Sequence, residues 1–304
     1  MQWKDLCVYL CSLLCLCGEE LKFAQMGKRL FYLFVFSNLF IAGCAVAMVI
    51  QTNHFLLRSP LNIHFTWFVF FSTVCSYSFH WYLTKDSLIA TPRVKWMERN
   101  RKVHLVLFIA GLIGAGIFFF YLYQWWPWLF LSAGMTFLYS APKIPHPWFR
   151  MLRRVALGKT IFLAGVWTHV TTVLPIIISG QDWKMEHTLF VISRFFLIYA
   201  ICILFDYRDR DDDKKNGVRS LITYLGEKGI TALFIFSLAV FLATTLLLLR
   251  YDYPVAGIIL LLVPGIITGA IYNYARRNFS DTLYYFVLDG LMALSAILML
   301  VAGI

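Results

Sequence analysis

Apolar residues along this chain gather into nine runs, at about 30–50, 62–84, 103–123, 124–140, 155–180, 188–206, 226–250, 253–275 and 282–303. Each comes close to the roughly 20 residues that an α-helix needs to cross a hydrocarbon core. The pattern therefore predicts an all-α integral membrane protein with nine transmembrane helices. Only a weak break, around Gln124 to Pro127, divides the third run from the fourth. Two connections are long and polar, 85–102 and 206–225, and each follows an even-numbered helix. A site built between them would be a cavity open at one membrane face and walled by helices.

Basic residues test that division independently. Counted over alternate connections, one side holds twenty-one lysines and arginines, whereas the other holds Arg58, Lys184 and Arg250. Such an asymmetry predicts a cytoplasmic N-terminus, an outside C-terminus and a cytoplasmic position for both polar connections. It also accounts for the formal net charge of +11, so no nucleic-acid partner is expected. Charged residues make up 14% of the chain against 60% hydrophobic, a balance that excludes an ordinary soluble domain. The charge bias suits a bacterial inner (cell) membrane, with membrane lipids as the surrounding partner.

Residues 1–25 fit this scheme poorly. Their apolar core resembles a short signal peptide, yet cleavage there would place Lys22, Lys28 and Arg29 on the wrong side. We expect an interfacial helix, or an extension upstream of a start at Met26, ahead of a nine-helix domain over 26–304. Four of the seven cysteines lie in this stretch, with no paired CxxC spacing. A zinc site is therefore not expected, and the thiols read as reduced.

The most chemically suggestive segment is 205–226. It packs five aspartates into the eight residues Asp206 to Asp213, directly after an apolar run. If it continues the preceding helix at about 100° per residue, Asp206, Asp209 and Asp213 fall within roughly 80° of one another. Asp211 and Asp212 point elsewhere. Three carboxylates on one stripe suit Mg²⁺, usually shared with a substrate phosphate; the plainer alternative is a solvated charged loop.

Polar groups also occur at membrane depth: Asn38, His80, Lys159, His169, Arg194 and Asp289. Buried ionisable groups there mark function by default, although His80 and His169 equally suit packed, hydrogen-bonded side chains. Lys159 and Arg194 have stems long enough to snorkel. Asp289 lies mid-run and would pair with Arg194 or Lys159, or meet a substrate.

The stretch Asp209-Arg210-Asp211-Asp212-Asp213, followed by Gly217-Val218-Arg219-Ser220 and Leu225-Gly226, resembles the second aspartate-rich motif of the UbiA-type intramembrane prenyltransferases. Tyr139-Ser140-Ala141-Pro142 through Arg153 to Lys159 resembles the same family's connection into helix five. The resemblance implies a nine-helix bundle around a central cavity, in which Mg²⁺ ions bridge a prenyl diphosphate and a lipophilic acceptor, aromatic or lipid, attacks the allylic cation. On these positions Asp206, Asp209 and Asp213 would be the metal ligands. Catalysis would rest on His80, Lys159, Asp209 and Asp213, and substrate binding on Tyr77, Lys159, Arg219 and Asp289. The family's first motif is replaced here: Tyr77, Ser78, His80 and Trp81 stand where its Asn-Asp pair and next aspartate belong, and Asp86 alone stays acidic. The contrasting expectation is a non-catalytic lipid-binding or transport protein that keeps the fold.

Overall fold

The computed structural model describes residues 26–84, 91–141, 159–215 and 221–304. Among these the secondary structure is helical throughout, with no strand. Helix α1 covers 26–36 and α2 Leu39–Gln51, with a two-residue turn between them. Asn38 makes that break: its φ of 70° is left-handed, a conformation that a non-glycine residue rarely adopts. The Asn62 side chain caps α3 (Ile63–Leu83) by accepting from the Phe65 amide at 3.0 Å. Thr91 followed by Pro92 opens α4 (Pro92–Arg99), the Thr91 hydroxyl accepting from the Val94 amide.

Next come α5 (Arg101–Tyr121) and α6 (Trp126–Ser140), divided at the Gln124 region where the pattern had only hinted at a break. Helix α7 runs from Lys159 to Ser179, α8 is Met185–Lys215, α9 is Glu227–Leu247, α10 is Val255–Ala270 and α11 runs from Leu283 to Ala302. Among the described residues six helices are long and apolar enough to cross a membrane, and α10 is a shorter apolar helix. The chain is thus a multi-pass membrane protein. Helix α3 has the length but is diluted by Thr66, Thr73, Ser76, Ser78 and His80, and α6 is only 15 residues long.

Helix α8 sits at the centre. Every residue from Leu197 to Leu204 is buried, which on a helix means neighbours on all sides. Helices α7 and α9 pack against it, while α3 pairs with α5, and α2 lies between α3 and α11. The α3–α5 contact is backbone-close: a Cβ built on Gly111 would lie 2.7 Å from the Cys75 nitrogen. Cys44 and Cys202 are buried.

Three helices contain one wide turn each, at Thr52–Leu56, His169–Val173 and Leu283–Leu288. Wide turns disturb the regular carbonyl ladder and are common at functional positions. Two of them meet at Arg194, which is 6% exposed. Its Nη1 donates to the carbonyls of Met48 and Thr171 and to the Thr52 hydroxyl, at 3.0–3.1 Å, and Nη2 donates to Gln51 Oε1 at 2.5 Å. The expected snorkelling of Arg194 and its pairing with Asp289 are therefore corrected: the carbonyls of Met48 and Thr171, beside the wide turns, together with Thr52 and Gln51 hold the guanidinium in place. His169 keeps the packed role, hydrogen-bonded to the Trp128 backbone.

Candidate functional site

A cavity of about 1900 Å³ opens among α3, α5, α6, α7, α8 and α11. Phe108, Leu112, Phe119, Leu129 and Phe130 contribute an apolar wall. Its polar residues come from segments far apart in sequence and include Tyr77, His80, Arg93, Asp206, Arg208, Asp209, Asp213 and Asp289. The acidic stripe lies there because α8 continues unbroken to Lys215. At 1.5 Å per residue its 31 residues extend about 46 Å, well beyond a hydrocarbon core of about 30 Å. Asp206, Asp209 and Asp213 all line the cavity.

The three carboxylates differ in surroundings. Asp206 is buried and accepts a hydrogen bond from the Thr160 hydroxyl of α7. Asp209 is partly exposed and takes Arg208 Nε at 2.9 Å. Asp213 is partly exposed near the end of α8. An oxygen-only donor set suits a hard cation. Among the described residues, however, no three His, Cys, Asp or Glu side chains come close enough to hold an ion by themselves. Any Mg²⁺ would use one or two of these carboxylates and complete its shell from phosphate oxygens and water, as that ion usually does.

Across the cavity, α3 presents Tyr77 and His80. The Tyr77 hydroxyl accepts from Trp167 Nε1 at 3.2 Å. His80 Nδ1 lies 3.2 Å from the Ser140 hydroxyl, and its ring stacks on Tyr139 with centroids 5.3 Å apart. The structure thus brings Tyr77, His80, Asp206, Asp209, Asp213 and Asp289 to one cavity. Lys159 opens α7 with its side chain outside the described part, and Asp86 and Arg219 lie outside the described residues.

Three arginines, Arg93, Arg101 and Arg208, also line the cavity, and in the sequence they enter only the charge count; Arg93 and Arg208 lie deepest. Arg93 is 4% exposed; its Nη2 donates to Asn38 Oδ1 at 3.0 Å, and its backbone N–H donates to Asp281 at 2.6 Å. Its guanidinium lies 3.8 Å from the Tyr285 ring centroid and 4.2 Å from that of Trp81. Burial lowers the pKa of Arg93, opposed by Tyr285 and Asp289 and aided by Arg208. Arg208 donates from Nη2 to the Tyr285 hydroxyl at 2.6 Å and sits 4.7 Å from the same ring. The left-handed Asn38 and the wide turn carrying Tyr285 place these contacts. Neither is visible in hydropathy.

The model of the UbiA prenyltransferase family matches residues 84–297. The match begins just after Tyr77 and His80 and does not cover them. No curated protein and no solved structure matches the chain.

Proposed function

The chain belongs to the UbiA prenyltransferase family, and from that premise we propose that it is a Mg²⁺-dependent enzyme transferring a prenyl group from a prenyl diphosphate to an aromatic or lipid acceptor. One observation carries the proposal: a single cavity joins the acidic stripe of α8 to a long wall of phenylalanine and leucine. A charged end beside an apolar tunnel suits an amphiphile with an anionic head and an isoprenoid tail.

In the proposed reaction the C–O bond to diphosphate breaks and the leaving group departs with the electron pair. The acceptor then bonds to the allylic carbon and gives up a proton. Mg²⁺, when bound, would neutralise the leaving diphosphate. Asp206, Asp209 and Asp213 are the groups that would hold it, with the Thr160 hydrogen bond orienting Asp206. Lys159 and Arg219 are assigned to the phosphate, and Tyr77 and Asp289 to substrate contact. The stacked faces of His80 and Tyr139 border the space where positive charge develops, a place where ring faces are favourable. The chain would form a nine-helix bundle in a bacterial inner membrane, its N-terminus cytoplasmic, its C-terminus outside and the acidic end of the cavity facing the cytoplasm.

A second reading, a non-catalytic lipid-binding or transport protein, draws support from the pairing of Asp209 with Arg208. The deciding experiment incubates purified protein with Mg²⁺ and radiolabelled prenyl diphosphates of several chain lengths. A membrane extract supplies acceptors. Release of diphosphate together with a labelled lipophilic product supports the transferase; tight binding without release supports the alternative.

A further inference from the structure

Arg93 and Arg208 converge on opposite sides of a question that the carboxylates leave open, namely what replaces the missing first acidic motif. Both line the cavity, and both approach the Tyr285 ring, at 3.8 and 4.7 Å. Two like charges sharing one ring in a poorly solvated site repel each other unless an anion lies between or beside them. Among the described residues no carboxylate lies within ion-pair distance of the Arg93 guanidinium, whose one hydrogen bond is to neutral Asn38. The side chain of Arg208 is 10% exposed. Its Nε is occupied by Asp209 and its Nη2 by Tyr285, while Nη1 is buried without a hydrogen-bond partner. A buried guanidinium N–H left unsatisfied is expensive.

Asp209 offsets part of the Arg208 charge but leaves its Nη1 unpaired, and the other nearby acids do not reach Arg93. Asp281 accepts from the Arg93 backbone through Oδ2. Asp289 feels the field of both arginines yet forms an ion pair with neither. Arg93 also stacks on Trp81, one of the α3 residues standing where the family's first motif would supply carboxylates.

We propose that Arg93 and Arg208 bind a phosphate group directly, without an intervening metal, on the α3 side of the cavity. The identity of that group as a prenyl diphosphate rests on the transferase reading above. One cationic pair would then do the work of one metal cluster, because the planar guanidinium fork matches phosphate oxygens. The acidic stripe of α8 would serve the other side of the same anion.

The test uses the full-length chain in phosphatidylcholine nanodiscs, titrated with inorganic diphosphate in the presence of EDTA. Wild-type protein is expected to bind and to gain thermal stability without metal. Arg93→Met and Arg208→Met are expected to weaken this binding at least tenfold; Arg58→Met, on a different connection, should leave it unchanged. If the methionine variants do not fold, Arg93→Lys and Arg208→Lys keep the charge but lose the fork, with several-fold weakening expected. Binding that needs Mg²⁺ in the wild type, or that ignores both arginines, overturns the proposal even if prenyl transfer is observed. Metal-free, arginine-dependent binding without any transfer supports it while removing the transferase reading. Phosphatidic acid in the nanodiscs separates the two sources of phosphate: competition with diphosphate for the arginines assigns the same site to a lipid headgroup as well, and absence of competition restricts it to the soluble anion.

Discussion

The Thr160 hydroxyl donates a hydrogen bond to the Asp206 carboxylate, joining the start of α7 to the later turns of α8 in a buried position. This contact both orients one acidic oxygen and satisfies a charge that burial would otherwise penalise. Thr160→Val removes the donor and leaves the acceptor in place. The expected loss is about 1–3 kcal/mol of stability, measured as a lower Tm in detergent, with weaker Mg²⁺-dependent binding of a prenyl diphosphate. A Tm and an affinity equal to wild type would detach Asp206 from the site.

Asp209→Ala and Asp213→Ala are expected to abolish Mg²⁺-dependent diphosphate binding while leaving the helix content unchanged, because both lie in the partly exposed final turns of α8. Calorimetry with and without Mg²⁺ measures this directly. Unchanged binding in both variants sinks the metal assignment.

His80→Ala is expected to lower turnover by about two- to thirtyfold, the size of a ring-face contact of about 0.5–2 kcal/mol with a developing cation. Ser140→Ala, which removes its Nδ1 partner, should have a smaller effect in the same direction. Activity at the wild-type level in His80→Ala would return the histidine to packing against Tyr139.

Gly111→Ala is a packing test. The new methyl group would meet the backbone of Cys75 and Phe71 at 2.7–2.9 Å, and backbone cannot move aside as a side chain can. Overpacking of this kind costs about 1–3 kcal/mol. Since α3 carries Tyr77 and His80, a fall in Tm should be accompanied by a fall in substrate affinity. Gly134→Ala, where a Cβ meets nothing within 4 Å and which does not line the cavity, is the control and should be neutral.

Arg194→Met leaves two backbone carbonyls, Thr52 and Gln51 short of a donor in a low-dielectric interior. A large loss of Tm is expected, partly recovered by Arg194→Lys. Substrate affinity of the protein that does fold should change little, since Arg194 does not line the cavity.

Hydropathy located the helical segments because length and apolarity are local properties, and the weak break near Gln124 became a real one through the turn at Tyr123–Trp125. The acidic stripe was legible for the same reason: spacing on a continuous helix fixes relative direction. Arg93 was not legible. It lies 188 positions from Asp281 and 55 from Asn38, its polar contacts, and in sequence it looks like any basic residue of a polar connection. Arg194 misled for the opposite reason. A lone arginine at depth suggests a carboxylate partner, whereas carbonyls beside two wide turns served instead, and no residue pattern announces those turns.

The wide turn at Leu283–Leu288 also governs which changes of length the chain can absorb. Such a turn holds one residue more than the regular helix would. Removing a single residue within it would let the backbone close into ordinary helix and keep the faces before and after it in register, so Asp289 would still point to the cavity. The same deletion in the regular helix beyond Asp289 would rotate everything downstream by about 100°, turning buried Met292, Ser295 and Met299 out of the core. Shortening by one position is therefore absorbed at the wide turn and not in the helix that follows it.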